Sequence, residues 1–381
     1  MKTTVKTIIF LFIFTLSFIG KAQNEGENEE IITTSTTECA NDLLQAQKAY
    51  QEGRILEVEE IISRDCLEGS DLTNDEKVIG YRLLTLVYLN MNEPEKADAM
   101  FLKLINLNPE YRINELDPTE FINFYNTYRT WPIFKIAPKA GSSISWFNNT
   151  NQFPVHDYPR INTLTPGFQG GITFEFDLSR KFLKGQDIRD FWVLNLDAYF
   201  SSKRYISTYE ENNLFTEDTQ LQTRYDYNAA DIRAIMNYRI FPTKQNDKKN
   251  KKFYWYAQLG IAGEYMTGIY GVVQEGQREG NAGTNFEEPR VNLIDKFYSK
   301  FNFQAITGTS LRYKIGLSWL TADIKYHYYP IDTYDNSKAY SNSLEIGSTG
   351  AYVLNNGQLQ NLSLSVGITV PIYVPKKLTE K

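Results

Sequence analysis

The sequence predicts an α-helical repeat domain followed by an antiparallel transmembrane β-barrel of about eight strands. Three observations carry this expectation. In the run from Asp190 to Ser201, Trp192, Leu194, Leu196, Ala198 and Phe200 form one apolar face, and Val193, Asn195, Asp197, Tyr199 and Ser201 form the other, mostly polar. Strand side chains alternate faces, so this is a two-faced strand. The same alternation recurs towards the C-terminus. Before it, apolar residues are spaced by three and four, the helical period.

Composition bounds the class. The chain of 381 residues has room for two domains. A mean hydropathy of −0.42 excludes a bundle of membrane helices. It does not exclude a barrel, in which only alternate residues face lipid. The 26 Tyr and 23 Phe suit aromatic girdles at two membrane interfaces. A net charge of −6 argues against nucleic acid as a partner. Two His and two Cys leave little for a metal site or a thiol catalyst, and no cofactor is expected.

Residues 1–22 read as a signal peptide. Lys2 and Lys6 precede the apolar run Ile8–Ile19, too short to span a bilayer, and Gly20-Lys21-Ala22 offers small residues for cleavage. Residues 23–37, acidic and Thr-rich, read as a flexible leader.

A helical domain is expected over residues 38–130. Cys39, Leu43, Ala46 and Tyr50 mark a first helix, ended by Gly53; Leu56, Ile61, Ile62 and Cys66 mark a second. Antiparallel packing brings Cys39 beside Cys66, a disulfide in an exported chain. It closes a loop of about 28 residues and contributes about 3 kcal/mol. Asn74 is expected to cap a third helix carrying Val78, Tyr81, Leu84, Tyr88 and Leu89, and Pro94 to start a fourth carrying Ala97, Phe101, Leu104 and Ile105. This pair resembles a tetratricopeptide repeat, with Tyr81, Leu84, Tyr88, Ala97, Phe101 and Pro109 on signature positions. Leu104 and Thr85 depart from the motif's small residue and glycine. The resemblance implies a periplasmic protein or peptide partner in a concave face. A further helix follows Asp117-Pro118, with Phe121, Phe124, Tyr125 and Tyr128 on it, until Trp131-Pro132 ends it.

The barrel is expected over residues 131–375, with segments near 133–146, 166–178, 190–203, 225–241, 253–270, 298–309, 311–329 and 359–374. They alternate, segments one and six more weakly: Ile232, Ala234, Met236 and Tyr238 oppose Asp231, Arg233, Asn237 and Arg239, and Leu320, Ala322, Ile324 and Tyr326 oppose Thr321, Asp323, Lys325 and His327. Energy decides which face meets lipid. The reverse register points Asp197, Asp231, Arg233, Glu264, Asp323 and Lys325 into hydrocarbon. An Arg or Lys at the midplane costs up to roughly 2–4 kcal/mol, and Asp or Glu less. Six such errors consume a typical stability of about 5–15 kcal/mol. Those six, with Glu175 and Arg239, are therefore expected in the lumen as structural ion pairs, Asp197 with a neighbour such as Arg233. Outer-membrane lipid is the outward partner.

The gaps at 147–165, 204–224, 271–297 and 330–358 are long and those after segments two and six short. That is the pattern of outside loops and periplasmic turns, and it puts the helices in the periplasm. The 271–297 loop has room for a further hairpin. The stretches Asn237-Tyr238-Arg239-Ile240, Tyr256-Ala257-Gln258-Leu259-Gly260-Ile261 and Leu362-Ser363-Leu364-Ser365-Val366-Gly367-Ile368, with the basic tail at 376–381, resemble the PorT-like outer-membrane barrel family of Bacteroidetes. The resemblance implies the outer membrane and, for some members, a part in protein secretion. It carries no catalytic residue.

Only His156 and His327 are available to a hydrolase: His327 is expected in the lumen near Asp323 and Lys325, out of a lipid substrate's reach, and no Ser has an obvious claim to partner His156. The expectation is a non-enzymatic outer-membrane barrel anchoring a periplasmic protein-binding domain, with a secretion or surface-assembly system as its setting. Two alternatives stay open: a barrel for transport or ligand passage, and a surface adhesion or recognition barrel acting through its outside loops.

Overall fold

The computed structural model describes residues 38–378 except 63, 70, 115, 152–159, 180–189, 212–218, 241–251, 278–290, 293–298 and 332–355. The expected signal peptide and leader, and His156, lie outside the described residues. The chain divides into two units: one of residues up to Asn108 with Leu116–Ile122, the other of Pro109–Glu115 with Asn123 onwards.

The first unit is helical. Helix α1 spans Glu38–Gln51, α2 Ile55–Ile61, α3 Arg64–Glu68, α4 Asn74–Asn90 and α5 Pro94–Leu107. Cys39 and Cys66 form the expected disulfide, with Cα atoms 5.4 Å apart. The expected second helix is broken in two at Ile62, whose backbone is extended. In an unbroken helix Leu67 falls roughly half a turn away from Val58. The break turns it back, so Val58, Ile62 and Leu67 are all buried. Helix α4 is capped by Thr73, not by Asn74. The Thr73 hydroxyl accepts from the Glu76 N–H, and the Glu76 carboxylate accepts from the Thr73 N–H at 2.8 Å. The signal was the Thr-x-x-Glu spacing of a capping box. Asn92 takes a φ of 57° in the turn to α5, which starts on Pro94 as expected. Residues Leu116–Ile122 close the unit: Phe121 meets Phe101 edge-on at 6.1 Å, and Asp117 pairs with Arg82.

The second unit is a closed ring of eight long strands. They are β2 (Phe134–Asn151), β3 (Arg160–Asp177), β4 (Trp192–Glu211), β5 (Thr219–Arg239), β6 (Phe253–Gln277), β8 (Phe301–Ile315), β9 (Ser318–Tyr328) and β10 (Asn356–Ile372). Each pairs antiparallel with its sequence neighbours, and β10 pairs with β2 to close the ring. A short β7 (Val291–Asn292) pairs with β6 inside the expected 271–297 loop. Helix α6 (Thr119–Asn126) straddles the division and ends earlier than expected. Tyr128 belongs to a strand, β1 (Tyr128–Arg129), paired with β11 (Lys376–Lys377) from the basic tail. Glu110 pairs with Lys314 and accepts from the Tyr373 hydroxyl at 3.4 Å, which ties residues 109–115 to the barrel.

The strand boundaries differ in two ways from expectation. The β8–β9 turn lies at Gly316-Leu317 rather than at 310. Ile315 pairs with Ser318, and Gly316 supplies the left-handed φ of 58° that a two-residue hairpin turn requires. At the far end, β4, β5 and β6 run well into the expected loops. There, beyond the apolar belt, the face pattern weakens although backbone pairing continues.

The faces are those expected. Ile172, Phe174, Leu196, Phe200, Ile232, Trp255, Leu259, Ile261, Phe303, Ile324, Leu364 and Val366 are exposed on the outside. Aromatic groups edge this belt, with Phe191, Trp192 and Tyr238 mutually packed at one end and Trp146 stacked on Tyr326 towards the other. Soluble monomers rarely expose a continuous apolar band around the whole molecule. Leu259, midway along the apolar part of β6 between Phe253 and Tyr265, is 71% exposed. Leu259→Arg is expected to cost about 2–4 kcal/mol of folding free energy in liposomes, measured by urea titration. A cost below about 0.5 kcal/mol contradicts a lipid-facing position.

Candidate functional site

Inside the ring the charges form a connected lattice. Arg312 on β8 donates to Glu175 on β3 at 2.7 Å, and Glu175 lies 3.9 Å from Lys139 on β2. Lys139 donates to Asp323 on β9 at 2.8 Å, Asp323 lies 3.5 Å from Lys325, and Lys325 donates to Asp197 on β4 at 3.1 Å. Three cations and three anions thus alternate across five strands. Glu175, Asp197, Asp231, Arg233, Arg239, Glu264, Asp323 and Lys325 are all buried on the inner face, as expected. One pairing is corrected. Arg233 is the register partner of Asp197 but forks onto Asp231 of its own strand, at 2.6 and 3.0 Å, while Asp197 is held by Lys325. The Arg233 guanidinium also lies 4.2 Å from the centroid of the Tyr199 ring. That ring packs where a Cβ on Gly171 would stand, 2.7 Å from it, so the position takes only glycine.

Sequence reasoning missed Lys135, Lys139, Lys203 and Arg312, all buried inward. Extending the alternation of Asp197, Tyr199 and Ser201 finds Lys203. Lys139 was hidden because Ala137, Gly141 and Ser143 make the two faces of β2 alike.

A second cluster joins Lys203, Glu264, Tyr329, Gln304, His327 and Ser363. Tyr329 donates to Glu264 at 2.9 Å, and Gln304 donates to the same carboxylate at 2.5 Å. His327 contacts Gln304 through Nδ1 at 2.8 Å and Ser363 through Nε2 at 3.0 Å. A serine beside a histidine is the start of a nucleophilic site. Both residues are only 1% exposed, however, on the inner wall of the ring. Nearer the far end, Phe147, Tyr205, Tyr225 and Tyr227 stack across the lumen, all buried. Eight strands leave a lumen that side chains can fill, and here they fill it.

The helical unit holds a cavity of about 170 Å³ lined by Glu59, Ile62, Leu67, Glu68, Tyr81, Leu84, Tyr88, Met100 and Lys103. Its floor is apolar and its rim charged. The Tyr88 hydroxyl donates to Glu59 at 2.8 Å, and Lys103 donates to Glu68 at 2.6 Å. Burial pushes the Tyr81 phenol up, with the Lys103 ammonium opposing. Of the six repeat-signature residues, Tyr81, Leu84, Tyr88, Ala97 and Phe101 are buried, and Tyr81, Leu84 and Tyr88 line this cavity. Pro109 follows α5 and groups with the barrel. The volume suits one large side chain, below the range of cofactor pockets.

A closed eight-stranded antiparallel barrel, apolar outside and charged inside, belongs to the class of outer-membrane barrels. No family model matches the chain, and no curated protein does. Among solved structures, it is similar to the attachment invasion locus protein Ail of Yersinia pestis, in complex with a heparin analogue, at 11% identity over 62% of this chain and 98% of that one, with a TM-score of 0.24. OprG of Pseudomonas aeruginosa matches at 13% identity over 64% and 98%, with a TM-score of 0.32. The translocator domain of the autotransporter NalP of Neisseria meningitidis matches at 8% identity over 74% and 98%, with a TM-score of 0.24.

Proposed function

We propose that the barrel is a non-enzymatic outer-membrane anchor and that the helical unit binds a protein or peptide partner in the periplasm. The cavity between α2, α3, α4 and α5 carries this reading. It is an apolar slot for one anchor side chain, with glutamate and lysine on its rim to fix orientation. The filled lumen argues against passage of a solute. The sealed position of His327 and Ser363 argues against acyl transfer, because a lipid or peptide substrate cannot reach the hydroxyl. Strand β2 begins, and β10 ends, at the same end of the ring as the tight Gly316-Leu317 turn. Assigning that end to the periplasm puts the helical residues there too. The resemblance to PorT-like barrels points to a secretion or surface-assembly system as the setting.

The test is a photo-crosslinking residue at position 100, beside the cavity, in cells. The expected result is one discrete adduct that is lost on Leu84→Trp, which fills the slot, with the barrel still inserted. An adduct pattern unchanged by Leu84→Trp, or matched by a crosslinker at exposed position 44, contradicts the reading.

A further inference from the structure

Strands β4 and β5 continue past the apolar belt, and their outer face changes character there. On β4 the outward series Trp192, Leu194, Leu196, Ala198 and Phe200 gives way to Ser202 and then Arg204. At about 3.3 Å per residue and a tilt of about 40°, Arg204 stands roughly 30 Å from the level of Trp192. That is the far edge of the hydrocarbon. On β5, Tyr225 and Tyr227 turn inward onto Tyr205, so Asp226 between them turns outward, opposite Arg204 in register. Arg224 shares that outward face.

Both arginines converge on one carboxylate. Arg204 Nε donates to Asp226 Oδ1 at 2.5 Å, and Arg224 Nε lies 3.5 Å from Oδ2. The Asp226 side chain is 7% exposed, those of Arg204 and Arg224 44% and 35%. The carboxylate is thus covered by two guanidiniums that keep an outward surface, and the group carries a net charge of about +1. Among the described residues, Arg204 spends only Nε on Asp226. Arg224 Nε makes no hydrogen bond among the described residues. A guanidinium presents five donors in a fork matched to phosphate oxygens. At the edge of a bilayer, an unspent fork pair facing outward is stabilised by an anionic headgroup and is costly without one.

We propose that Arg204 and Arg224 bind a phosphate group on the headgroup of an outer-leaflet lipid. The inference rests on the assignment of the barrel to the outer membrane with the β4–β5 end outside. Asp226 fixes the two guanidiniums in the positions that clamp the phosphate. The site holds lipid rather than free phosphate, because the belt immediately below it, with Phe200 and Phe168 exposed, receives acyl chains.

The test uses the full chain, purified in detergent and in nanodiscs, with native mass spectrometry. The probes are a bis-phosphorylated glucosamine glycolipid, the same lipid without phosphates, and inorganic phosphate. The wild type should retain the phosphorylated lipid at least tenfold better than the dephosphorylated one. R204Q/R224Q should abolish that preference, and R204K/R224K should keep part of it. R204Q/R224Q/D226N also neutralises the carboxylate and should behave as the double variant does, so a folding defect is separable from lost binding. Equal retention of both lipids, or a preference unchanged in the double variant, would overturn the proposal. So would displacement of the lipid by millimolar inorganic phosphate, which would assign the site to the free anion. Heat-modifiable migration of the same samples reports insertion. Failure to insert sinks the membrane reading and this site together, whereas insertion without preference sinks the site alone.

Discussion

Asp323→Ala lowers the unfolding free energy of the barrel by about 3–5 kcal/mol, the largest effect expected of a single substitution here. Asp323 sits in the middle of the alternating row Arg312, Glu175, Lys139, Asp323, Lys325 and Asp197, and both it and its lysines are essentially unexposed. Its removal leaves three cations against two anions, with Lys139 2.8 Å from a carboxylate that no longer exists. A buried charge without its partner cannot recover solvation inside a filled lumen. The companion Asp323→Leu with Lys139→Met removes one charge of each sign. Arg312 keeps Glu175, and Lys325 keeps Asp197, so the double variant recovers most of the loss. Urea titration of the liposome-inserted protein, followed by heat-modifiable migration, reads both variants. A single variant within about 1 kcal/mol of wild type, or a double variant no better than the single, contradicts the lattice.

Loss of the disulfide acts on the helical unit alone. Cys39 and Cys66 are 27 residues apart, and opening a loop of that size costs roughly 3–4 kcal/mol by the chain-entropy estimate. The stability of so small a helical unit is itself only several kcal/mol. Helix α1 packs on the broken pair α2 and α3, which have only seven and five residues. They rely on the crosslink more than α4 does, whose 17 residues carry a capping box. In Cys39→Ser with Cys66→Ser, amide exchange is therefore expected to accelerate at least a hundredfold over residues 38–68 and less over 74–107, with the barrel amides unchanged. Uniform or absent acceleration contradicts this division of stability.

The sequence carried the barrel because the two faces of its strands differ in cost. An Asp in hydrocarbon and a Leu in a charged lumen are both errors, so the pattern of Leu196 against Asp197 admits one register. Where that difference fades, legibility fades with it. On β2 small residues occupy both faces, and Lys139 passed unnoticed at the centre of the lattice. Past the belt, polar and apolar residues mix on both faces of β4 to β6, and strands read as loops. The partner of Asp197 was out of reach for another reason. Arg233 is its neighbour in the ladder, whereas Lys325 arrives from across the lumen, and only ring closure sets that distance. In the helical unit the break at Ile62 restores Leu67 to the core, a rotation that local spacing does not encode. The cavity was legible only as three repeat-signature side chains, because its other walls come from both halves of the broken helix and from α5.

The central claim is that alternate residues of these strands face lipid and lumen. Nitroxide labels placed singly at 258, 259, 261 and 262 of the liposome-inserted protein test it by spin-relaxation accessibility. Labels at 259 and 261 should be relaxed strongly by oxygen and weakly by a water-soluble nickel complex, and those at 258 and 262 should be protected from both. Strong relaxation by the nickel complex at 259 and 261 would contradict the account.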